Sequence, residues 1–323
     1  MPEVIYLFTG MGGEYVLSPL AAYFRAKKHK VVELDFVFET NPHRVLKELS
    51  GKRIVLISSA HPDLDNYGHK MLFQGENGFL STLELFQYLK PEASFYVPHD
   101  LTTPIEDVEL CWLPYFTASL NPLPNLWWLK KFAPAFEVGW IKKEPGKKQD
   151  YILESYGNRH KFVFFPTFFT AHRDLGVEGI FELYRPMFEQ NIPIKFFNWA
   201  GIEEIEVGLR AKGAQVIPAA VGSYSLMNQA DAVVCFGASS TAIEAYLLGL
   251  PLVCLDDVMI DTKTRRNYLS GAYNIKFMTV AAVSQWIKDL NDGICALPAH
   301  IDDKLLAFDF ERAHDIIVNF RKA

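Results

Sequence analysis

Cysteine is scarce in this chain, a basic excess is missing, and no apolar run is long enough to cross a bilayer. The four cysteines, Cys111, Cys235, Cys254 and Cys295, stand too far apart for the paired spacing of a zinc site. Cys235 and Cys254 fall inside apolar runs, where a reduced thiol acts as a small hydrophobic side chain. A formal net charge of −6 argues against a nucleic-acid-binding protein, which normally carries a clustered basic excess. With no signal peptide ahead of the first strand and no stretch of about 20 apolar residues, the expectation is a cytoplasmic protein. The chain has no internal repeat and no low-complexity tract. Its first glycine-rich loop, Phe8-Thr-Gly-Met-Gly-Gly-Glu14-Tyr, lacks the Gly-Lys-Ser/Thr of a Walker A motif and is not a clean dinucleotide fingerprint.

What the chain does have is apolar bulk. Half of its 323 residues are apolar and 14% are aromatic, which supplies two packed cores and leaves no case for disorder. That length fits two domains of ordinary size. In the first half, apolar runs at 4–8, 31–36, 53–58, 94–97 and 108–112 read as strands. Helical patterns at 17–28, 43–49 and 80–89 separate them. The second half restarts, with strands at 162–165, 194–198, 215–217, 232–236 and 252–255. Helices there are expected at 176–190, 202–212, 280–290 and 308–321. Strands alternating with helices imply right-handed crossovers and a parallel sheet. The lysine-rich segment 136–156, with its Pro-Gly pair, reads as a linker. The expectation is an α/β chain of two doubly wound, Rossmann-like domains, 1–150 and 151–323, with the last helix packing back on the first. Ligands of such folds sit at the carboxyl ends of the strands, here in the cleft between the domains.

The segment most suggestive of chemistry is NQADAVVCFGASSTAIEAYLLGLPLVCLDD at 228–257. It reads as strand, tight turn, helix and strand. Gly237 turns the chain, and Ser239, Ser240 and Thr241 stand where the helix begins, suited to cap its free N–H groups. Those N–H groups and the positive end of the helix dipole attract phosphate. Glu244, one turn on, is near enough to reach a sugar hydroxyl. Gly249-Leu250-Pro251 stops the helix.

Other residues carry two readings each. Gly12 and Gly13 let backbone N–H groups approach a ligand, or simply form a tight turn. Glu14 faces the ligand side in the first case and serves as a base or binds acceptor hydroxyls. His61 and His99 each follow a strand, and His99 with Asp100 is the leading candidate for a base that takes a proton from an acceptor hydroxyl. A loop histidine bonded to backbone explains either one alone. His61, Asp63, Asp65 and His69 could ligate a metal, yet their polar segment reads better as a solvated loop, and no metal is expected. Thr167 closes a strand at Phe164-Phe-Pro-Thr167, and Arg173, in the loop beyond, suits charge-assisted bonds to phosphate. Arg265 and Arg266 suit the same anion or a solvated turn, and Asp256 and Asp257 suit sugar hydroxyls. Leu126-Trp-Trp-Leu-Lys-Lys-Phe132 fits a packed amphipathic helix, a sugar platform or a membrane surface.

The pattern at 230–251 resembles the donor-binding segment of GT-B glycosyltransferases, above all the muropeptide N-acetylglucosaminyltransferases. It also resembles UDP-N-acetylglucosamine 2-epimerases and, more loosely, CDP-glycerol glycerophosphotransferases. The resemblance implies that Gly237, Ser239, Ser240 and Thr241 hold a nucleotide diphosphate and that Glu244 holds the ribose. The loop at Gly12 and Gly13 resembles the first glycine-rich loop of the same transferases, with Glu14 where that family has a histidine. Phe164 to Thr167 resembles the strand that opens the second domain of the glycerophosphotransferases. The implied function is transfer of a sugar from a nucleotide-diphosphate or CMP donor to a glycan or lipid-linked acceptor in surface polysaccharide synthesis. No bound cofactor is implied, and a lipid-linked acceptor brings peripheral association with the inner face of a membrane. UDP-sugar 2-epimerisation or polyol-phosphate transfer on the same fold is the alternative, and a non-catalytic nucleotide-sugar-binding protein is the second.

Overall fold

The computed structural model describes residues 3–10, 17–35, 42–59, 73–75, 78–80, 88–97, 116–121, 134–141, 151–166, 169–197, 201–236, 240–255, 276–298 and 307–320. The chain divides into two compact units. One comprises Met1–Lys143 with Lys304–Ala323, the other Glu144–Asp303.

The first unit is built on strands β1 (Val4–Gly10), β2 (Lys30–Asp35), β3 (Arg53–Ser58), β6 (Ala93–Tyr96), β7 (Ala118–Asn121) and β8 (Ala135–Glu137). They form one parallel sheet in the order β2-β1-β3-β6-β7-β8. Strands of a parallel sheet covered on both faces must be apolar on both, and β1 shows why the sequence obliges. Ile5 and Leu7 point to the face covered by Leu46 and Leu49 of helix α2 (Pro42–Leu49). Tyr6 and Phe8 point to the other, against Leu20, Ala21 and Phe24 of helix α1 (Ser18–Ala26). The C-terminal helix α8 (Phe310–Asn319) adds Ala313 and Ile317 to that second cluster. Its Asp309 cap accepts the Arg312 N–H at 2.9 Å. Nε2 of His314 lies 2.9 Å from Nε2 of His29, tying the helix to the end of α1.

Three expectations change in this unit. Leu80 closes an antiparallel hairpin of β4 (Phe73–Gly75) and β5 (Gly78–Leu80) instead of opening a helix. Of the helix expected to Leu89, residues 88–89 are helical and 81–87 lie outside the described residues. The strand expected at 108–112 also lies outside them. Much of the expected linker is folded. Phe136 belongs to β8, and Val138, Trp140 and Ile141 are buried, with Trp140 bridged to Ala307. At its other end Leu153 is fully buried and its N–H donates to Gln229 at 3.0 Å. The lysines and the Pro-Gly pair between these ends, at 142–150, lie outside the described residues.

The second unit carries β9 (Phe162–Phe165), β10 (Ile194–Lys195), β11 (Val216–Ile217), β12 (Ala232–Phe236), β13 (Leu252–Leu255) and β14 (Lys276–Met278). All pair in parallel, in the order β11-β10-β9-β12-β13-β14. Helices α3 (Phe169–Phe188), α4 (Ile202–Ala211) and α7 (Val280–Asn291) bury Tyr184, Met187, Leu209, Trp286 and Ile287 against Phe162, Phe164, Val234 and Val253. A short helix α5 (Ser223–Met227) and helix α6 (Ser240–Leu247) complete the unit. Helix α3 starts before Gly176, where a helix start was expected. Gly176 is a kink inside it, with φ 62° and ψ −173°, angles that glycine alone adopts freely. Arg173 therefore sits on a helix and not in a loop. Among the described residues no helix is long and apolar enough to cross a membrane.

Candidate functional site

Strand order decides where a ligand can enter. In the second unit the chain runs outward from β9 to β10 and β11, then returns to lay β12 on the opposite side of β9. The connections leaving β9 and β12 therefore run to opposite sides, and the carboxyl ends of two such strands are the binding position of doubly wound sheets. Phe165 and Cys235 are register partners, so the two strands end level. From β9 the chain continues through Pro166 and Thr167 into α3. From β12 it continues through Gly237 and Ser239 into α6, whose first residue is Ser240. Two segments that the sequence keeps far apart thus leave from adjacent strands. Thr167, Gly237 and Ser239 themselves lie outside the described residues.

Helix α6 is held firmly. Ala242, Ile243 and Ala245 are fully buried, Thr241 is half-buried, and Glu244 is 2% exposed. The helix ends with Leu250 donating to the Ala245 carbonyl at 3.0 Å. Its positive end lies at the carboxyl end of β12, so an anion placed there would meet a favourable dipole. Behind the turn, Cys235 and Cys254 are paired neighbours on β12 and β13, both fully buried. Burial pushes the Cys235 thiol well above its ordinary range, and a hydrogen bond with Cys254 adds to this. A thiol held protonated in this way packs and does not attack.

In the first unit the same kind of divergence lies between β1 and β3. The Ser59 N–H donates to the Thr9 carbonyl at 3.0 Å, and the Val97 N–H to the Ser58 carbonyl at 2.9 Å. The ends of β1, β3 and β6 are thus bonded side by side. Gly12, Gly13 and Glu14 follow the first in sequence, His61 the second, and His99 and Asp100 the third. These six residues lie outside the described residues. So do Asp63, Asp65, His69, Asp256, Asp257, Arg265, Arg266 and the segment 126–132. Among the described residues no group of three or more histidines, cysteines or carboxylates could hold a metal ion.

Two features were missed in the sequence. His172 is 1% exposed, and its Nε2 lies 2.8 Å from the Tyr184 hydroxyl. It follows the β9 exit directly and had no motif to mark it. Glu206 is also buried. Its Oε1 accepts the Ala219 N–H at 2.6 Å and its Oε2 accepts from Arg210 at 3.1 Å, fastening α4 to the chain beyond β11. Its position on an amphipathic helix suggested solvent.

No family model matches the sequence, and no characterised protein matches it by sequence. Solved structures do match along its whole length. The S. aureus MnaA–UDP co-structure superposes with a TM-score of 0.62 at 12% identity, over 100% of this chain and 97% of that one. Methanocaldococcus jannaschii UDP-GlcNAc 2-epimerase, solved with UDP-GlcNAc and UDP, gives 0.54 at 11% identity, over 98% and 99%. The wall teichoic acid polymerase TagF gives 0.53 at 9% identity, over 100% and 89%. The chain has the GT-B fold. At such identities the likeness speaks for the architecture, two Rossmann-like α/β units, and leaves the chemistry to the site.

Proposed function

We propose that this GT-B chain is an enzyme that uses a nucleotide-diphosphate sugar and transfers the sugar to a glycan or lipid-linked acceptor. The observation that carries the reading is the strand order of the second unit, which sets the β9 and β12 exits side by side at the β9–β12 switch point. The donor diphosphate would lie at the head of α6, with Gly237, Ser239, Ser240 and Thr241 about it and Thr167 and Arg173 arriving from β9. Glu244 would accept hydrogen bonds from the ribose hydroxyls. The fold neighbours solved with UDP and UDP-GlcNAc support a ligand of this class.

The first unit supplies the acceptor side in this reading. One of His99, Asp100, Glu14 and His61 takes the proton of the acceptor hydroxyl, whose oxygen attacks the anomeric carbon. The bond from that carbon to the diphosphate oxygen breaks, and the diphosphate leaves with the electron pair. Its growing charge is met by fixed amide dipoles at the helix head and by arginine, an electrostatic contribution that needs no reorganisation at the moment of reaction. No metal enters the scheme. A lipid-linked acceptor would bring the enzyme to the inner face of a membrane, in surface-polysaccharide assembly.

A second reading, UDP-sugar 2-epimerisation, draws support from the full-length likeness to the M. jannaschii epimerase. Incubation with UDP-N-acetylglucosamine alone separates the two, because an epimerase needs no acceptor and would yield a new sugar signal by NMR. Thermal shift against a panel of nucleoside diphosphates and nucleotide sugars tests the common core, since a ligand of the native state raises its midpoint. Normal turnover after each of Glu14, His61, His99 and Asp100 is changed to Ala would end the assignment of the base. Binding without turnover on any acceptor would point to a non-catalytic protein.

A further inference from the structure

Two histidines 285 residues apart meet in the first unit. His29 leaves the end of α1 through Lys28, whose φ of 64° lies in the left-handed region that most side chains avoid. His314 stands on α8. Their Nε2 atoms lie 2.9 Å apart and their ring centroids 5.1 Å apart. Aromatic rings hold both imidazoles. Tyr6 of β1 meets His29 edge-on at 4.8 Å, and Tyr23 meets His314 edge-on at 5.9 Å. Phe24 of α1 lies 5.3 Å from His29 and 4.9 Å from His314. Tyr6 and Phe24 are buried, whereas both histidines keep partial exposure to solvent. On its far side, Nδ1 of His314 lies 3.2 Å from Oδ1 of Asp315. A carboxylate only accepts, so a neutral His314 carries its proton on Nδ1 and presents the Nε2 lone pair toward His29.

We propose that His29 and His314 are the two protein ligands of a divalent transition-metal site, with zinc as the type, that fastens α8 to the end of α1. The site stands apart from the nucleotide-sugar reading. Imidazole nitrogen suits zinc, nickel and copper. Zinc–nitrogen bonds of about 2.0–2.1 Å at a tetrahedral angle set two ligand nitrogens about 3.3 Å apart, so from 2.9 Å the pair opens by only about 0.4 Å. The proton between the two rings moves to the His29 Nδ1, which frees the second Nε2 lone pair for the metal. A carboxylate on the other nitrogen of a ligating histidine fixes the ring and raises its basicity, and Asp315 stands in that place. Among the described residues no third histidine, cysteine or carboxylate completes the set, so water takes the remaining positions. Two protein ligands are fewer than the four of a structural zinc centre. The ion therefore clips two elements that are already folded and does not build the fold.

The test uses the full chain, stripped with a chelator and titrated with zinc chloride by calorimetry at neutral pH. Zinc is expected to bind with a dissociation constant below about 1 mM. His29→Gln and His314→Gln keep a polar side chain at each position, and each is expected to lose that ion. Circular dichroism checks their folding. Hydrogen exchange gives a second reading, because an ion that joins α8 to α1 must leave before α8 can open. At zinc ten times its dissociation constant, exchange of the α8 amides should slow about tenfold in the wild type and stay unchanged in both variants. If neither variant folds, the wild type with one equivalent of copper(II) decides, and its electron paramagnetic resonance should show coupling to two imidazole nitrogens. Four results each overturn the site: no zinc bound below about 1 mM, zinc retained in full after either substitution, α8 exchange that zinc does not slow, or a copper signal from fewer than two imidazoles.

Discussion

The two units share one architecture, yet their sheets differ where it matters, in the row of residues at the carboxyl ends. In the first unit Thr9, Ser58, Tyr96 and Ser119 are register partners across four adjacent strands. Residues paired in parallel point to the same face, so four hydroxyls form one buried row, none more than 1% exposed. In the second unit the matching row is Phe165, Cys235, Cys254 and Phe277. That row is apolar, and burial keeps the Cys235 thiol neutral. Polar chemistry in the second unit must therefore come from the turns beyond the strands and from backbone amides at the head of α6. In the first, it already begins inside the sheet. The apolar end of the second sheet gives helix α6 a rigid base.

That contrast can be broken by exchanging its elements. The largest effect is expected from Ser58→Ile, which forces a bulky apolar chain into a fully buried position and removes a hydrogen-bonding hydroxyl. Loss of about 3 kcal/mol should appear in urea unfolding, and a loss under about 1 kcal/mol would mean that the row is loosely packed. In the opposite unit Cys235→Ser buries a hydroxyl in the dry row, at about 2 kcal/mol by the same measurement. A serine chain as stable as the wild type would show that water reaches this row.

The thiol also predicts a pH dependence. The folded state holds Cys235 protonated above the range where the unfolded thiol ionises, so the unfolded state binds fewer protons and stability must fall as pH rises. The window opens at about pH 8.5, and the slope is at most about 1.4 kcal/mol per pH unit for one group. Cys235→Ala should flatten it, and an unchanged slope would assign the loss to other groups. Tyr151, pushed well above the usual phenol range by burial and by its bond to Tyr156, acts in the same direction at higher pH. The smallest effect concerns Thr9. Its Oγ1 finds no hydrogen-bond partner among the described residues, so Thr9→Val, which keeps the shape, should stabilise the first unit by about 1 kcal/mol. Destabilisation in the same unfolding experiment would mean that a bound water serves this hydroxyl.

Reading from residues succeeded where the signal was local. The bounds of β3, β9, β12 and β13 agree with the strands expected from their apolar runs, and a helix follows β12 closely, from Ser240, as expected. It placed the two-residue strands β10 and β11 but missed other short ones. β8 and β14 have three residues each, too few for a period to show, and β8 lay under charges that suggested a linker. Gly176 misled in another way, because a glycine near a helical pattern marks an end or a kink equally well. His172 and Glu206 went unread because polar residues on helices are ordinarily solvated, and only packing reveals that these are enclosed.

Alternating apolar runs and helix stop signals, all features within a dozen residues of one another, were enough to require parallel α/β layers and to place a strand end at Phe236 just before a helix start near Ser240. Which strands stand next to each other was decided elsewhere. The pairing of Phe165 with Cys235, the alignment of four hydroxyls, and the closing of His172 on Tyr184 depend on contacts between distant parts of the chain. Such pairings are chosen by the burial of both sheet faces at once, a property that no local stretch of sequence possesses.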